Sequence, residues 1–125
     1  MFLDTTFLIT LGEELERGIT GPARTFLGRH RSQAHRVSVI SLGELAAGMP
    51  DSQTARRFLS AFRIVALKPE IALEAANIDR ALIRTGQRLG ENDNWIAGFA
   101  RYYGEPLVSN DQAFDRVQGL RRLSH

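Results

Sequence analysis

Apolar residues fall along this chain in two patterns. Short blocks of large or β-branched side chains, bounded by charge or turn formers, occupy Met1–Leu3, Val37–Ile40 and Pro106–Val108. Their brevity and composition predict buried strands rather than helices. Ile64–Leu67, stopped by Lys68-Pro69, is a fourth candidate, and Leu120–Leu123 is a fifth. Longer stretches between them repeat at helical spacing. From Pro69 to Arg88, Ile71, Ala75, Ile78, Leu82 and Ile83 form a stripe, with Pro69 suited to the first turn. From Asn92 to Tyr103, Ile96, Phe99, Ala100 and Tyr103 form another, ended by Gly104-Glu105-Pro106. Two further helices are predicted over Ser41–Ala47 and Ser52–Phe62. Thr5 to Ala34 reads as mostly helical, with breaks near Gly12, Gly18 and Gly21-Pro22.

Strands alternating with helices predict an α/β sandwich around a parallel sheet, because crossover helices are how parallel strands are joined. No linker, repeat or low-complexity tract interrupts the pattern, and 125 residues that are 43% hydrophobic suit one domain over residues 1–125 with a single core. In such sheets ligands bind beyond the carboxyl ends of the strands.

Composition narrows the chemistry. Without cysteine there is neither a disulfide framework nor a thiolate zinc site, so any metal must rest on oxygen or histidine. The start MFLDTTFLIT has an early acid, no basic leader and no long apolar run, so neither a signal peptide nor a membrane span is expected and a soluble cytoplasmic protein is. Fifteen of the sixteen basic residues are arginine, which suits phosphate contacts, but a net charge of +2 does not by itself select RNA. His30, His35 and His125 share no ligand spacing and read as surface residues.

Carboxylates, by contrast, collect at the predicted strand ends. Asp4 follows the first strand, Glu44 lies four residues after the second, and Asp111 lies three residues after Val108. Asp93 opens the helix that leads into that last strand. All of them facing one sheet edge would repel, which calls for cations or raised pKa values. Mg2+ or Mn2+ is the matching cation, since hard divalent ions prefer carboxylate oxygen and water. Each acid also has an ordinary reading. Asp4, Asp93 and Asp111 stand where a helix cap is favourable by ~1 kcal/mol. Glu44, flanked by Leu42, Leu45 and Ala46, would otherwise need an arginine partner.

The same segments carry a family resemblance. FLDTTFLI resembles the first motif of PIN-domain ribonucleases, and VSVISLGELAAG resembles the second, a strand followed by Ser-x-x-Glu-Leu and glycine. LGENDNWIAGFARYYGEPLVSNDQAF is similar to the third and fourth together, where an Asn-Asp-x-x-Ile-Ala helix runs into a strand and a Ser-x-Asp turn before phenylalanine. The order and spacing resemble in particular the small VapC-like toxins of type II toxin-antitoxin pairs. The resemblance implies a PIN-like three-layer α/β/α sandwich with a central, mostly parallel sheet of four to five strands. It implies Asp4, Glu44, Asp93 and Asp111 as catalytic and metal-binding acids, asparagine replacing the last in some relatives. Thr5, Thr6 and Ser109 would support them. Asp115 is a possible fifth acid, with a solvated acid near Arg116 or Arg122 as the plainer alternative. Asn92 and Asn94 would position Asp93 or touch RNA, unless they only form the turn. Trp95, Tyr102 and Tyr103 would stack on bases, unless they serve the core or a dimer interface.

The implied activity is metal-dependent endoribonuclease cleavage of a phosphodiester, with an RNA substrate, a VapB-like antitoxin and a homodimer as the expected partners. One rival keeps the fold as an inactive RNA- or protein-binding module. A receiver-type phosphoacceptor would need an acidic pair after strand one and a lysine after a late strand, whereas only Asp4 and Lys68 are present. A haloacid-dehalogenase phosphatase would need Asp-x-Asp, and position 6 is Thr6.

Overall fold

The computed structural model describes residues 1–125. Five strands form one parallel sheet: β1 (Phe2–Leu3), β2 (Arg36–Ser38), β3 (Arg63–Val65), β4 (Leu107–Val108) and β5 (Arg122–Leu123), in spatial order β3-β2-β1-β4-β5. Between them run α1 (Thr5–Arg17), α2 (Pro22–Arg29), α3 (Val39–Ala47), α4 (Ser52–Phe58), α5 (Pro69–Ile83) and α6 (Glu91–Tyr103). A 3-10 turn over Gln112–Arg116 joins β4 to β5.

Both residues of each of the central strands β1 and β4 are buried, and alternate residues feed opposite cores. Phe2 and Leu107 point into one core with Ile71, Ile78 and Leu82 of α5 and Ile96 and Phe99 of α6. Leu3, Val108 and Val37 point into the other with Phe7, Leu8 and Leu11 of α1, Phe26 of α2 and Leu45 of α3. Continuous apolar pairs such as Phe2-Leu3 are therefore the strand signature here, as in other sheets covered on both sides. The result is the expected α/β/α sandwich.

Several boundaries differ from the sequence reading for physical reasons. The second strand was expected to reach Ile40, but Ser38 accepts the Ser41 N–H and starts α3 at Val39. The long helix expected to reach Arg88 ends at Ile83, where Gly86 turns with φ 66° and Gln87 N–H returns to Leu82 O at 2.9 Å. Gly12 does not break α1; a Cβ there would stand 3.5 Å from the Phe58 ring of α4, so the position lies at a helix contact. Gly18 does end α1, with φ 65°, and Pro22 does open α2. The helix expected over Ser52–Phe62 narrows to a 3-10 turn from Leu59. The histidines are not simple surface residues either. His30 stacks on Phe26 at 4.2 Å and His125 meets Phe7 edge-on at 4.7 Å. No helix is long and apolar enough to cross a membrane.

Glu14 was not singled out by the sequence pattern, yet it is buried in α1 and caps α2. Gly21 at the α2 N-terminus has no side chain to offer, and Glu14 accepts the N–H groups of Gly21 and Ala23 at 2.8 Å and of Arg24 at 3.0 Å. Burial pushes this carboxyl up, but the three backbone donors outweigh burial and hold it below its ordinary pKa. Glu14→Ala is expected to destabilise the fold by about 2–3 kcal/mol in urea denaturation, because the buried donors lose their charged acceptor. Glu13→Ala, one residue away and exposed, should fall within ~0.5 kcal/mol of the parent.

Candidate active site

The strand order reverses at β1, which pairs with β2 on one side and β4 on the other. A crevice opens at such a switch point beyond the carboxyl ends of the strands. Asp4 stands on one side of it and Ser109 on the other, both still fixed by ladder hydrogen bonds: Asp4 N–H to Val108 O at 3.1 Å and Ser109 N–H to Leu123 O at 2.9 Å.

Asp4 is 2% exposed and its carboxylate is surrounded by donors. Oδ1 accepts the Thr5 N–H at 2.8 Å; Oδ2 accepts the Thr6 hydroxyl at 2.8 Å and the Ser109 hydroxyl at 2.7 Å. Burial raises its pKa, the three hydrogen bonds oppose that rise without cancelling it, and the Glu44 charge adds to it. Asp4 is also the N-cap of α1, so the ordinary reading and the functional one describe the same residue.

Glu44 reaches the site from α3. No arginine pairs with it. Its Oε1 accepts the Thr5 hydroxyl at 2.6 Å, and its Oε2 accepts Asn92 Nδ2 at 3.3 Å. The Thr5 hydroxyl has one proton, and Glu44 can only accept, so that proton points to Glu44 and Thr5 Oγ accepts from Ser41 Oγ at 2.9 Å. Ser38 lies behind Ser41, and both serines are buried. A chain of hydroxyls thus ends on the carboxylate, each bond polarising the next. Ser38 and Ser41 were not among the candidate residues. Their signal was present in Ser41-x-x-Glu44, a spacing that puts both side chains on one helical face.

Asp93 sits in the first turn of α6, where Gly90, not Asp93, is the N-cap. Its carboxylate takes part in no hydrogen bond within the protein, and its pKa is pushed up to about 6, first by burial and then by the charges of Asp4, Asp111 and Glu44. Asp111 is exposed and caps the following 3-10 turn, accepting the Ala113 N–H at 2.9 Å, while its own N–H donates to Ser109 Oγ at 3.1 Å. Asp115 points elsewhere and is held by Arg122. Of the two asparagines, Asn92 touches Glu44, whereas Asn94 donates to Ala75 O at 2.9 Å across the α5–α6 contact. Trp95 is half-buried, Tyr103 stacks on Phe2, and Tyr102 lies beneath Lys68.

Asp4, Glu44, Asp93 and Asp111 therefore share one electrostatic neighbourhood, and none of them forms an ion pair, although the charge of Arg122 acts on Asp111 from beyond ion-pair contact. All the arginine and N-terminal ion pairs go to Glu105, Asp79, Glu74 and Asp115. No three His, Asp or Glu side chains come together as a group that could hold a metal ion between them. The four acids offer oxygen donors only, the kind that a hard divalent cation keeping several waters prefers.

The profile of the PIN domain matches residues 1–120. The chain belongs to the PIN-domain family. This PIN domain is 39% identical over 93 residues to ribonuclease VapC2 of Haemophilus influenzae, covering 68% of this chain and 70% of that one. It is 33% identical, with the same coverage, to the tRNA(fMet)-specific endonuclease VapC of Shigella flexneri. Among solved structures it resembles VapBC2 from Rickettsia felis bound to a promoter DNA fragment, with TM-score 0.83, 21% identity, and 98% and 96% of the two chains covered. VapBC-1 from nontypeable Haemophilus influenzae superposes with TM-score 0.78 at 22% identity, over 98% and 96% of the two chains. At those identities the likeness is one of fold.

The raised Asp93 pKa makes a stability prediction for the PIN domain free of divalent ions. The folded value lies above the unfolded one near ~3.9, so the contribution to stability is present below that pH and is lost as pH rises through about 6. In EDTA the melting temperature is expected to fall between about pH 4 and about pH 6.5 and to level off above, and Asp93→Asn should shrink that fall. An undiminished fall in Asp93→Asn would show that the repulsion is centred elsewhere.

Proposed function

We propose that residues 1–125 form one PIN domain that acts in the cytoplasm as a Mg2+- or Mn2+-dependent endoribonuclease, the toxin of a VapBC-type pair. The observation that carries this reading is the set of four acids that act on one another around the switch point, none of which forms an ion pair. The ribonuclease and endonuclease names of its relatives supply the substrate class.

Asp4, Glu44, Asp93 and Asp111 would hold the cation, which when bound supplies positive charge to the scissile phosphodiester and acidifies the attacking water. The chain's own residues do the rest. Thr6 and Ser109 fix Asp4, and Thr5 and Asn92 fix Glu44, so these carboxylates meet the substrate without reorganising. Asp93, on which no protein donor is spent, is the acid free to orient the attacking water or accept its proton. No side chain is needed as a covalent nucleophile.

An antitoxin partner is supported by a groove of about 520 Å3 between α1 and the α3–α4 pair, running up to Glu44. Leu8, Ile9, Met49 and Phe58 make it apolar, and Glu13 and Glu16 make its edge acidic. That combination suits a segment with apolar anchors and basic side chains. The same reading carries with it a homodimer as the resting unit.

Purified protein is expected to cleave RNA only with Mg2+ or Mn2+ present, and Asp4→Asn and Asp93→Asn should each lower the rate about 100-fold or more without unfolding. Wild-type rates in both variants would refute the assigned site. Induced expression of the chain alone should slow bacterial growth while the Asp4→Asn form does not; if both are harmless, the toxin reading falls and the nuclease reading is judged on cleavage alone.

A further inference from the structure

Ser109 is the point on which the acid cluster turns. It is fully buried, and each of its polar atoms is used. Its N–H is in the sheet, and its hydroxyl donates to Asp4 and accepts from the Asp111 N–H. Its carbonyl accepts Arg122 Nη1 at 3.1 Å, a contact that comes from the edge strand β5. The same guanidinium is held flat by Asp115, Nε to Oδ1 at 2.9 Å and Nη2 to Oδ2 at 3.0 Å.

The burial of this pair is unequal. The Arg122 side chain is 16% exposed and that of Asp115 is 57% exposed. A surface pair made for its own sake adds little to stability, and neither partner need be drawn inward. Here the arginine is pulled under the turn that carries Ser109 and Asp111, and the aspartate is what orients it. The next residue is tied on the same side: Asn110 exchanges two hydrogen bonds with the backbone of His125, at 3.0 and 2.8 Å. Asp111 itself is held by the Ser109 hydroxyl, by its own cap on Ala113 and by the Phe114 N–H, which donates to its carbonyl at 3.3 Å.

We propose that Arg122 and Asp115 are positioning residues that clamp the Ser109–Asp111 turn, so that Ser109 stays aimed at Asp4 and Asp111 stays beside the acid cluster. Asp115 then works through Arg122 and is not a fifth ligand. The clamp depends on shape more than on charge. A planar guanidinium can grip a carboxylate with two N–H groups and reach a carbonyl with a third, whereas a lysine ammonium at the same place cannot do both. The proposal rests on the nuclease reading only for its functional consequence; the ordering of the turn is independent of it.

The test uses the full chain, its Arg122→Lys and Asp115→Asn variants, the double variant, and Asp4→Asn. Amide hydrogen exchange without divalent ions is expected to quicken at Asp111 and Ala113 in Arg122→Lys and in Asp115→Asn, while amides of β1 and β4 keep their rates. Calorimetric titration with Mn2+ should show about 10- to 100-fold weaker binding in both, the range for losing an outer partner of a metal-binding group. RNA cleavage should lose kcat with KM unchanged, and the double variant should be no worse than either single one, since both break the same contact. Unchanged exchange at Asp111 and Ala113 in Arg122→Lys overturns the clamp. So does a rise in KM alone, which would make Arg122 an RNA contact. If the parent binds no Mn2+, or Asp4→Asn binds it equally well, the metal-site reading falls, and the exchange rates still decide whether the clamp exists.

Discussion

The hydrogen bond from Ser109 to Asp4 joins the two strands between which the sheet changes direction, and it does so through a carboxylate that is almost wholly buried. Backbone ladders fix both residues, so neither can retreat from the other without breaking the sheet. Everything else at this edge is arranged around that contact. Thr5 turns its N–H to Asp4 and its hydroxyl to Glu44, Asp111 hangs from the Ser109 hydroxyl, and Asp93 faces them from α6 with nothing to bond. Like charges are brought together by a framework of hydroxyls and amides, not by opposite charges.

Glu14 shows what the same chain does with an acid that only builds structure. It too is buried, but three backbone N–H groups converge on it and its pKa falls. Asp93 is less buried, has no donor, and its pKa rises to about 6. Burial acts in the same direction on both; the hydrogen bonds to the ionised form, and neighbouring charges that are negative around Asp93 and positive beside Glu14, separate them. The comparison marks Asp93 as the clustered acid to which the chain gives no donor.

Arginine placement tells the same story from the other side. Arg36 with Glu105, Arg88 with Asp79, Arg101 with Glu74 and Arg122 with Asp115 account for the side-chain ion pairs; none of them involves the four clustered acids, and only Arg122 stands beside the cluster, through the Ser109 carbonyl. Arg36 also covers the rings of Phe2 and Tyr103 at the opposite end of the sheet. A basic composition thus coexists with an acid cluster: of the fifteen arginines, the four that form ion pairs form them with other acids.

The amino-acid sequence by itself determined the strand blocks, the helical stripes, the parallel α/β class and the identity of Asp4, Glu44, Asp93 and Asp111 as residues near strand ends, because apolar period and strand position are local properties. It could not decide how far each element ran: Ser38 ends β2 by capping α3, and α1 runs through Gly12, where a Cβ would meet the Phe58 ring of α4. Nor could it separate a cap from a site residue, since Asp4 and Asp111 are caps in both cases. The tertiary structure decided which acids face one another, which of them lacks a donor, and that Glu14, Ser41 and Arg122 matter. Those facts depend on contacts between residues far apart in the chain, such as Ser109 with Asp4 and Asn92 with Glu44, and no local pattern encodes them.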